Sequence, residues 1–216
     1  FAFKDEIRNR IINNEITDKL IFDKLKDFIE PDTIVLDLGA NFGQMSILWS
    51  KCKPGVEVYA FEASKYVFNI LKKNIHINSA NVKPVNALVG NETNKEQLIE
   101  KSFLKEYSTY GTNKINKIQN SNKKNTDKIK AIKIDDLNFE KKISAMKIDV
   151  QGYDLDALKG SKKTILNHKM PIIFEYEEKF EKEFNYTFRD FENFINEINY
   201  KIETKIDEIN YLIVPK

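Results

Sequence analysis

Four acidic side chains stand where an open parallel sheet would present them to a ligand. Asp37, Glu62 and Asp149 each close a short apolar run that reads as a β-strand, and Glu175 lies near the end of a fourth. In such sheets ligands bind beyond the carboxyl ends of the strands, where the strand order reverses. The turn after Asp37 reads Gly39-Ala40-Asn41-Phe42-Gly43. Its small residues let the backbone turn sharply and come close to a ligand. The spacing is G-x-x-x-G, with Asn41 where the second glycine of the pyrophosphate-binding fingerprint G-x-G-x-x-G would stand. An acid just ahead of the turn suits a cationic amine, and Glu62 at the next strand end suits both hydroxyls of a ribose. Together they describe a site for an adenosyl amino acid better than one for NAD. Each acid also has a plainer reading: Asp37 and Asp149 as helix caps, Glu62 as a solvated strand end, Glu175 as a structural hydrogen-bonding acid.

The elements that must position these residues follow from periodicity. Ile7, Ile11, Ile12, Ile16, Leu20, Ile21, Leu25 and Phe28 recur at three and four, which predicts an N-terminal helical segment over residues 1–30. Thr17-Asp18 is positioned to cap a second helix within it. Strands are predicted at Thr33–Leu38, Val56–Phe61, Val82–Leu88, Ser144–Val150 and Met170–Glu177. Helices are predicted from Gly43 to Lys51, from Ser64 to Ile75, and over Asp154–His168 and Thr187–Ile198. Strand and helix alternate, which argues for a parallel sheet covered on both faces with right-handed crossovers. Pro84 favours a free edge for its strand. Tyr200–Thr204 and Tyr211–Val214 read as an antiparallel pair at the other edge. Residues 91–130 break the rhythm, with six Lys and five Asn between Asn113 and Lys130, and are expected to form an inserted flap or loop. At roughly 100–200 residues per domain, the chain is expected to be one domain spanning 1–216.

Composition narrows the partners. With 35 basic and 33 acidic residues the net charge is +2, which does not mark a nucleic-acid binder: no DNA partner is expected and RNA is disfavoured, with the lysine-rich loop as the one feature that keeps RNA open. A hydrophobic fraction of 41%, including 15 Phe and 9 Tyr, is enough for a sizeable core. Cys52 alone can form neither an internal disulfide nor a cysteine-rich zinc site. The longest apolar stretches, Ile34–Leu38 and Met170–Phe174, fall far short of the ~20 residues that span a bilayer. The first residues, Phe-Ala-Phe-Lys-Asp-Glu, lack both a starting Met and a basic-then-apolar leader. A cytoplasmic location without membrane insertion is the expectation.

The segments VLDLGANFGQMS (Val35–Ser46), YAFEAS (Tyr59–Ser64), VNALVG (Val85–Gly90) and KIDVQGYDLDALKG (Lys147–Gly160) occur in this order and spacing. In them the chain resembles class I S-adenosylmethionine-dependent methyltransferases, and within these the FkbM-type family. Asp135-Asp136-Leu137 and Ile172–Glu175 fit the same pattern, and the match covers roughly residues 32–180. Together with the alternation above, it predicts an α/β, Rossmann-like doubly wound, mostly parallel seven-stranded sheet with an antiparallel edge strand and N-terminal helices.

The resemblance implies S-adenosyl-L-methionine as cofactor and S-adenosyl-L-homocysteine as product. It implies that Asp37, Gly39 and Asn41 line the methionine end, that Gly43 permits tight helix packing and that Gln44 adds a polar contact. Glu62 would bind the ribose, Asn86 and Ala87 would lie near the adenine, and Asp149 near the transferable methyl. One departure is visible: the family pattern Asp-Val-Glu-Gly is here Asp149-Val150-Gln151-Gly152, and Gln151 can hydrogen-bond but cannot act as a base.

Methyl transfer to a hydroxyl needs the acceptor's proton removed by a base, or the oxygen activated by a metal ion. Asp149 is the leading catalytic base and Glu175 the second. The same acids could hold a divalent cation, a role the sequence neither requires nor excludes, and no metal ligand is assigned. His76 and His168 fall at the helix ends that return to the opposite edge of the sheet. The expected acceptor is a sugar hydroxyl of a glycan or nucleotide-sugar precursor, or a related small natural product. RNA or protein methylation, and a non-catalytic cofactor-binding module, are the alternatives. The oligomeric state is open.

Overall fold

The computed structural model describes residues 6–100, 115–116 and 126–216. In chain order its elements are α1 (Glu6–Ile12), α2 (Lys19–Lys26), β1 (Ile34–Leu38), α3 (Gln44–Ser50), β2 (Glu57–Phe61), α4 (Lys65–Ile77) and β3 (Val82–Val85). There follow β4 (Leu88–Val89), β5 (Glu96–Glu100), β6 (Ile115–Asn116), β7 (Thr126–Ile132), β8 (Ile143–Ile148), α5 (Asp154–Lys159), α6 (Lys162–His168) and β9 (Ile172–Glu175). The chain continues through α7 (Glu181–Phe184), α8 (Phe188–Glu197), β10 (Tyr200–Lys205) and β11 (Asn210–Pro215).

The main sheet has seven strands in the order β3-β2-β1-β8-β9-β11-β10. The chain leaves β1 toward one edge through β2 and β3, then returns to lay β8 on the other side of β1. The switch of direction between β1 and β8 opens a crevice at their carboxyl ends, the place such a sheet offers a ligand. All the pairings from β3 to β9 are parallel, and β11 runs antiparallel to both β9 and β10. The expected antiparallel strand is thus β11, one place in from the rim formed by β10. Pro84 sits in β3 at the opposite edge, where its missing N–H leaves no gap in an interior ladder.

Alternation along the strands divides the core in two. Ile34, Leu36 and Leu38 of β1 face a layer with Ile165 of α6, Leu155 and Leu158 of α5, and Phe191 and Phe194 of α8. Val35 of β1 faces the other layer, with Leu25 of α2, Trp49 of α3 and Leu71 of α4. Every residue of β1 and β8 is buried, as expected for strands covered on both faces. Within this apolar setting the register sets Asp37 of β1 directly beside Lys147 of β8. Their neighbours Val35 and Ala145, paired in the same register, belong to the α2–α3–α4 layer, so both charges project toward α3.

Four local expectations change. The N-terminal segment does break at Asp18, but Asp18 caps nothing: it has φ 53° and its side chain makes no cap hydrogen bond. The helix expected over 154–168 is two helices, broken at Gly160-Ser161, where the Asp135 N–H donates to the Gly160 carbonyl at 3.0 Å and the Asp135 carboxylate accepts the Lys163 and Thr164 N–H groups at 2.9 Å, starting α6 afresh. The strand expected over 82–88 ends at Val85, and β4 resumes in a second, four-stranded sheet, β4-β7-β5-β6. The antiparallel ladder of β5 and β7 gives regular structure to both flanks of the stretch expected as a loop. Tyr107, Tyr110 and most of the Lys/Asn-rich run lie outside the described residues.

Candidate active site

The turn after β1 is pinned from both neighbouring strands. Gly39 and Ala40 donate their N–H groups to the Phe61 carbonyl of β2 at 2.9 and 2.8 Å, while Asp149 N–H donates to the Leu38 carbonyl at 2.9 Å. Gly39 has φ +85°, and a Cβ there would lie 1.8 Å from the Asp149 carbonyl oxygen. The ends of β1 and β8 therefore touch, and only glycine allows it. Asn41 follows with φ 52°. Gly43, also at φ +85°, brings the start of α3 against Leu71, which a Cβ would meet at 2.3 Å.

The carboxyl ends of β1 and β8 enclose a cavity of about 50 Å³ whose lining includes Asp18, Asp37, Gly39, Asn41, Lys147 and Asp149. Asp37 is fully buried; Ser46 Oγ donates to its Oδ2 at 2.5 Å. Its Oδ1 stands 3.8 Å from Lys147 Nζ, an ion pair too long for a hydrogen bond, and has no hydrogen-bond partner. Burial pushes the Asp37 carboxyl above its usual range despite Lys147 and Ser46. Asn41 Oδ1 is a second buried acceptor without a partner. Lys147, only 4% exposed, donates to Asp149 Oδ2 at 3.2 Å. Burial alone would lower its pKa, but Asp149, Asp37 and Asp18 outweigh this and hold the ammonium firmly charged.

Asp149 is embedded in donors. Gln151 Nε2 donates to its Oδ1 at 2.9 Å and reaches Glu175 Oε2 at 3.4 Å. Burial would raise the Asp149 carboxyl, but Lys147, then Glu175 and Gln151, overcome it and keep the group below its usual range. Burial, with the adjoining Asp149 and Asp154 charges, drives Glu175 far above the normal carboxyl range. The surroundings therefore favour the anion at Asp149 and the neutral form at Glu175. The turn itself is set by Asp154, whose carboxylate accepts the Val150 and Gly152 N–H groups at 3.2 and 3.0 Å. Gln151 (φ 52°) and Gly152 (φ 94°) take the left-handed conformations this requires.

Glu62 lies beside this cavity. Its Oε2 accepts the Asn41 N–H at 2.9 Å and its Oε1 the Ser64 N–H at 2.8 Å, and burial pushes its carboxyl up to about 7. Asn86 is used structurally as well: its Nδ2 donates to the Glu62 and Ala63 carbonyls at 2.8 and 3.1 Å, and Ala87 is buried next to it. Gln44 faces the N-terminal segment. Its Nε2 donates to the Glu15 carbonyl at 2.8 Å, and its Oε1 accepts the Thr17 N–H at 2.9 Å and the Thr17 hydroxyl. His168 is remote: its Nδ1 accepts the N–H of Ile143, the first residue of β8, at 3.1 Å. Lys147 and Asp18 are the site residues that motif reading passed over. The signal for Lys147 was present, a lone lysine inside the otherwise uncharged run Ile143–Ile148.

The unpartnered acceptors of Asp37 and Asn41, the ammonium of Lys147 and the carboxylate of Glu62 form a donor and acceptor set that fits an adenosyl amino acid. Among the described residues no group of three His, Cys, Asp or Glu side chains could hold a metal ion. Nor is any described helix long and apolar enough to cross a membrane.

The sheet order and the crevice at β1 and β8 place the fold in the Rossmann-like class that S-adenosylmethionine-dependent methyltransferases share. Residues 37–202 match the model of the methyltransferase FkbM domain, and the chain belongs to that family. Among solved structures it is similar to the methyltransferase FkbM of Methylobacillus flagellatus KT, with 19% identity and a TM-score of 0.54 over 86% of this chain. It spans only 44% of that protein. An S-adenosylmethionine-dependent methyltransferase of Clostridium acetobutylicum ATCC 824 aligns over 97% of this chain and 96% of its own, with 12% identity and a TM-score of 0.54. A precorrin-6y C5,15-methyltransferase of Geobacter metallireducens GS-15 aligns over 92% and 88%, with 14% identity and a TM-score of 0.51. No curated protein matches the chain.

Proposed function

We propose that the chain methylates a hydroxyl oxygen, with a sugar hydroxyl of a glycan or nucleotide-sugar precursor, or of a related small natural product, as acceptor. The observation that carries this reading is the Asp149 carboxylate at the cavity, kept ionised by Lys147 at 3.2 Å and oriented by Gln151 at 2.9 Å. Transfer to a hydroxyl requires a proton acceptor at the reacting oxygen, and a placed carboxylate supplies one.

The bound cofactor supplies an activated methyl group on a positively charged sulfur. The chain's own residues do the rest. Glu62 accepts the ribose hydroxyls, with Asn41 and Ser64 fixing its carboxylate. Asn86 and Ala87 form the adjoining wall on the adenine side. Gly39 and Asn41 give the methionine end access to the backbone, and Asp37 accepts from its ammonium. Asp149 takes the acceptor's proton. Burial favours the neutral form of Glu175 beside it, so the two acids do not compete as anions for the same proton. Glu175 thus enters as the proton-bearing partner of Asp149. Holding donor and acceptor in line can contribute about 7–11 kcal/mol toward the barrier.

The test is a panel of free sugars, nucleotide sugars and small polyols incubated with the protein and S-adenosylmethionine. Formation of S-adenosylhomocysteine should accompany a new O-methyl signal in the product's NMR spectrum. Methyl found on nitrogen or carbon would refute the hydroxyl reading.

A further inference from the structure

The cavity between β1 and β8 carries more charge than the placement of Asp37 alone would require. Its lining includes three carboxylates, Asp18, Asp37 and Asp149, and one ammonium, Lys147. Lys147 Nζ hydrogen-bonds Asp149 at 3.2 Å and stands 3.8 Å from Asp37. An ammonium can donate three hydrogen bonds, so donor capacity remains on the cavity side. Asp37 Oδ1, on a side chain with no exposed surface, lines the same cavity without a hydrogen-bond partner. A buried acceptor of this kind calls for a donor from a ligand.

Asp18 supplies the outer side. It opens α2 in the left-handed conformation, φ 53°, which Asp adopts more readily than most side chains, and its carboxylate does not cap the helix. The preceding residues are tied down, since Gln44 of α3 binds Glu15 and both the N–H and the hydroxyl of Thr17. This fastening holds Asp18 at the cavity mouth, close enough to Lys147 for each to feel the other's charge. An acid outside, an orphan acid oxygen at the floor and a cation with spare donors make a receptor with both signs of charge.

We infer that Lys147 and Asp18 bind the amino-acid end of the cofactor, Lys147 taking its α-carboxylate and Asp18, with Asp37, its α-ammonium. The inference rests on the reading that the adenosyl amino acid occupies this cavity, and it gives the N-terminal segment a binding role. The nucleoside end is left to Glu62 and its neighbours, so the two ends of the ligand are read by separate groups.

Calorimetric titration with two ligands separates them: S-adenosylhomocysteine, and 5′-methylthioadenosine, which shares the nucleoside and thioether but lacks the amino acid. Wild-type protein should prefer S-adenosylhomocysteine. Asp18→Ala, a change at an exposed position, should weaken it about fivefold to tenfold and leave methylthioadenosine unchanged. Lys147→Met should show a larger loss with the same selectivity, in protein whose thermal unfolding remains cooperative. If that variant does not fold, the Asp18 comparison still decides. Equal affinity of wild type and Asp18→Ala for S-adenosylhomocysteine, or a parallel loss for both ligands, would overturn the inference while leaving the cofactor site in place. Wild-type protein that binds neither ligand would remove the cofactor site itself, and the inference with it.

Discussion

Glu62 receives opposing instructions from its surroundings. Two backbone N–H groups favour its anion, while burial pushes its carboxyl up to about 7. A ribose hydroxyl donates best to the anion, so affinity for S-adenosylhomocysteine should strengthen between pH 6 and pH 8. Glu62→Gln should bind at least tenfold more weakly, with a flat pH profile, as calorimetry across that range would read. Stability runs the other way. Between the unfolded value near 4.5 and about 7 the folded protein holds more protons at Glu62 than the unfolded chain, so stability falls as pH rises through that window. Asp154, also raised to about 7 by burial, adds to the same slope, and thermal unfolding at pH 5 and pH 7 should show the lower midpoint at pH 7. Asp149→Asn should retain cofactor affinity but lose about 10²–10⁴ in turnover. Wild-type turnover in that variant would remove Asp149 from the mechanism. The acids at the strand tips were legible from sequence because each directly follows an apolar run. Lys147 shows in the sequence only as a lone charge in an apolar run, and Asp18 not at all as a site residue, because their meaning depends on the pairing of β1 with β8 and on the tether from Gln44, neither of which is local.

At the level of elements, the strand-to-helix turns carry the site, and their glycines are not interchangeable with alanine. Gly39 combines φ +85° with an approach to the Asp149 carbonyl that leaves no room for a Cβ. Gly39→Ala should cost at least about 3 kcal/mol, a drop of roughly 6–12 °C in Tm for a chain of this size. A Tm within 2 °C of wild type would show that the β1 and β8 ends need not touch. Gln44→Ala should free the segment around Thr17, seen as faster amide hydrogen exchange at residues 15–18 with little change in β1. Periodicity and turn chemistry located β1, β2, β8, β9 and α8 well, because each is buried in a pattern that its own sequence declares. The break at Gly160 is not visible in the local sequence, since the residue that takes the Gly160 carbonyl and starts α6 is Asp135, more than twenty positions away. Of the β5–β7 ladder only the end of β7, at Ala131 and Ile132, reads as a strand from sequence, because the rest flanks a Lys/Asn-rich run that obscures any alternation.

Across the whole molecule, function follows from one topological fact: the sheet changes direction between β1 and β8, and that crevice gathers Asp37, Lys147 and Asp149. The order β3-β2-β1-β8-β9-β11-β10 could be anticipated only in part, because alternation implies a parallel sheet but not which strands become neighbours. The order brings residues from four stretches of chain, near 18, 37–44, 62 and 147–151, to one end of the sheet. The most direct test of this arrangement is a crystal of the protein soaked with S-adenosylhomocysteine. Density for the ribose on Glu62 and for the amino-acid end in the cavity of Asp37, Asn41 and Lys147 is the predicted result. Density for the ligand at any other place on the molecule would contradict it.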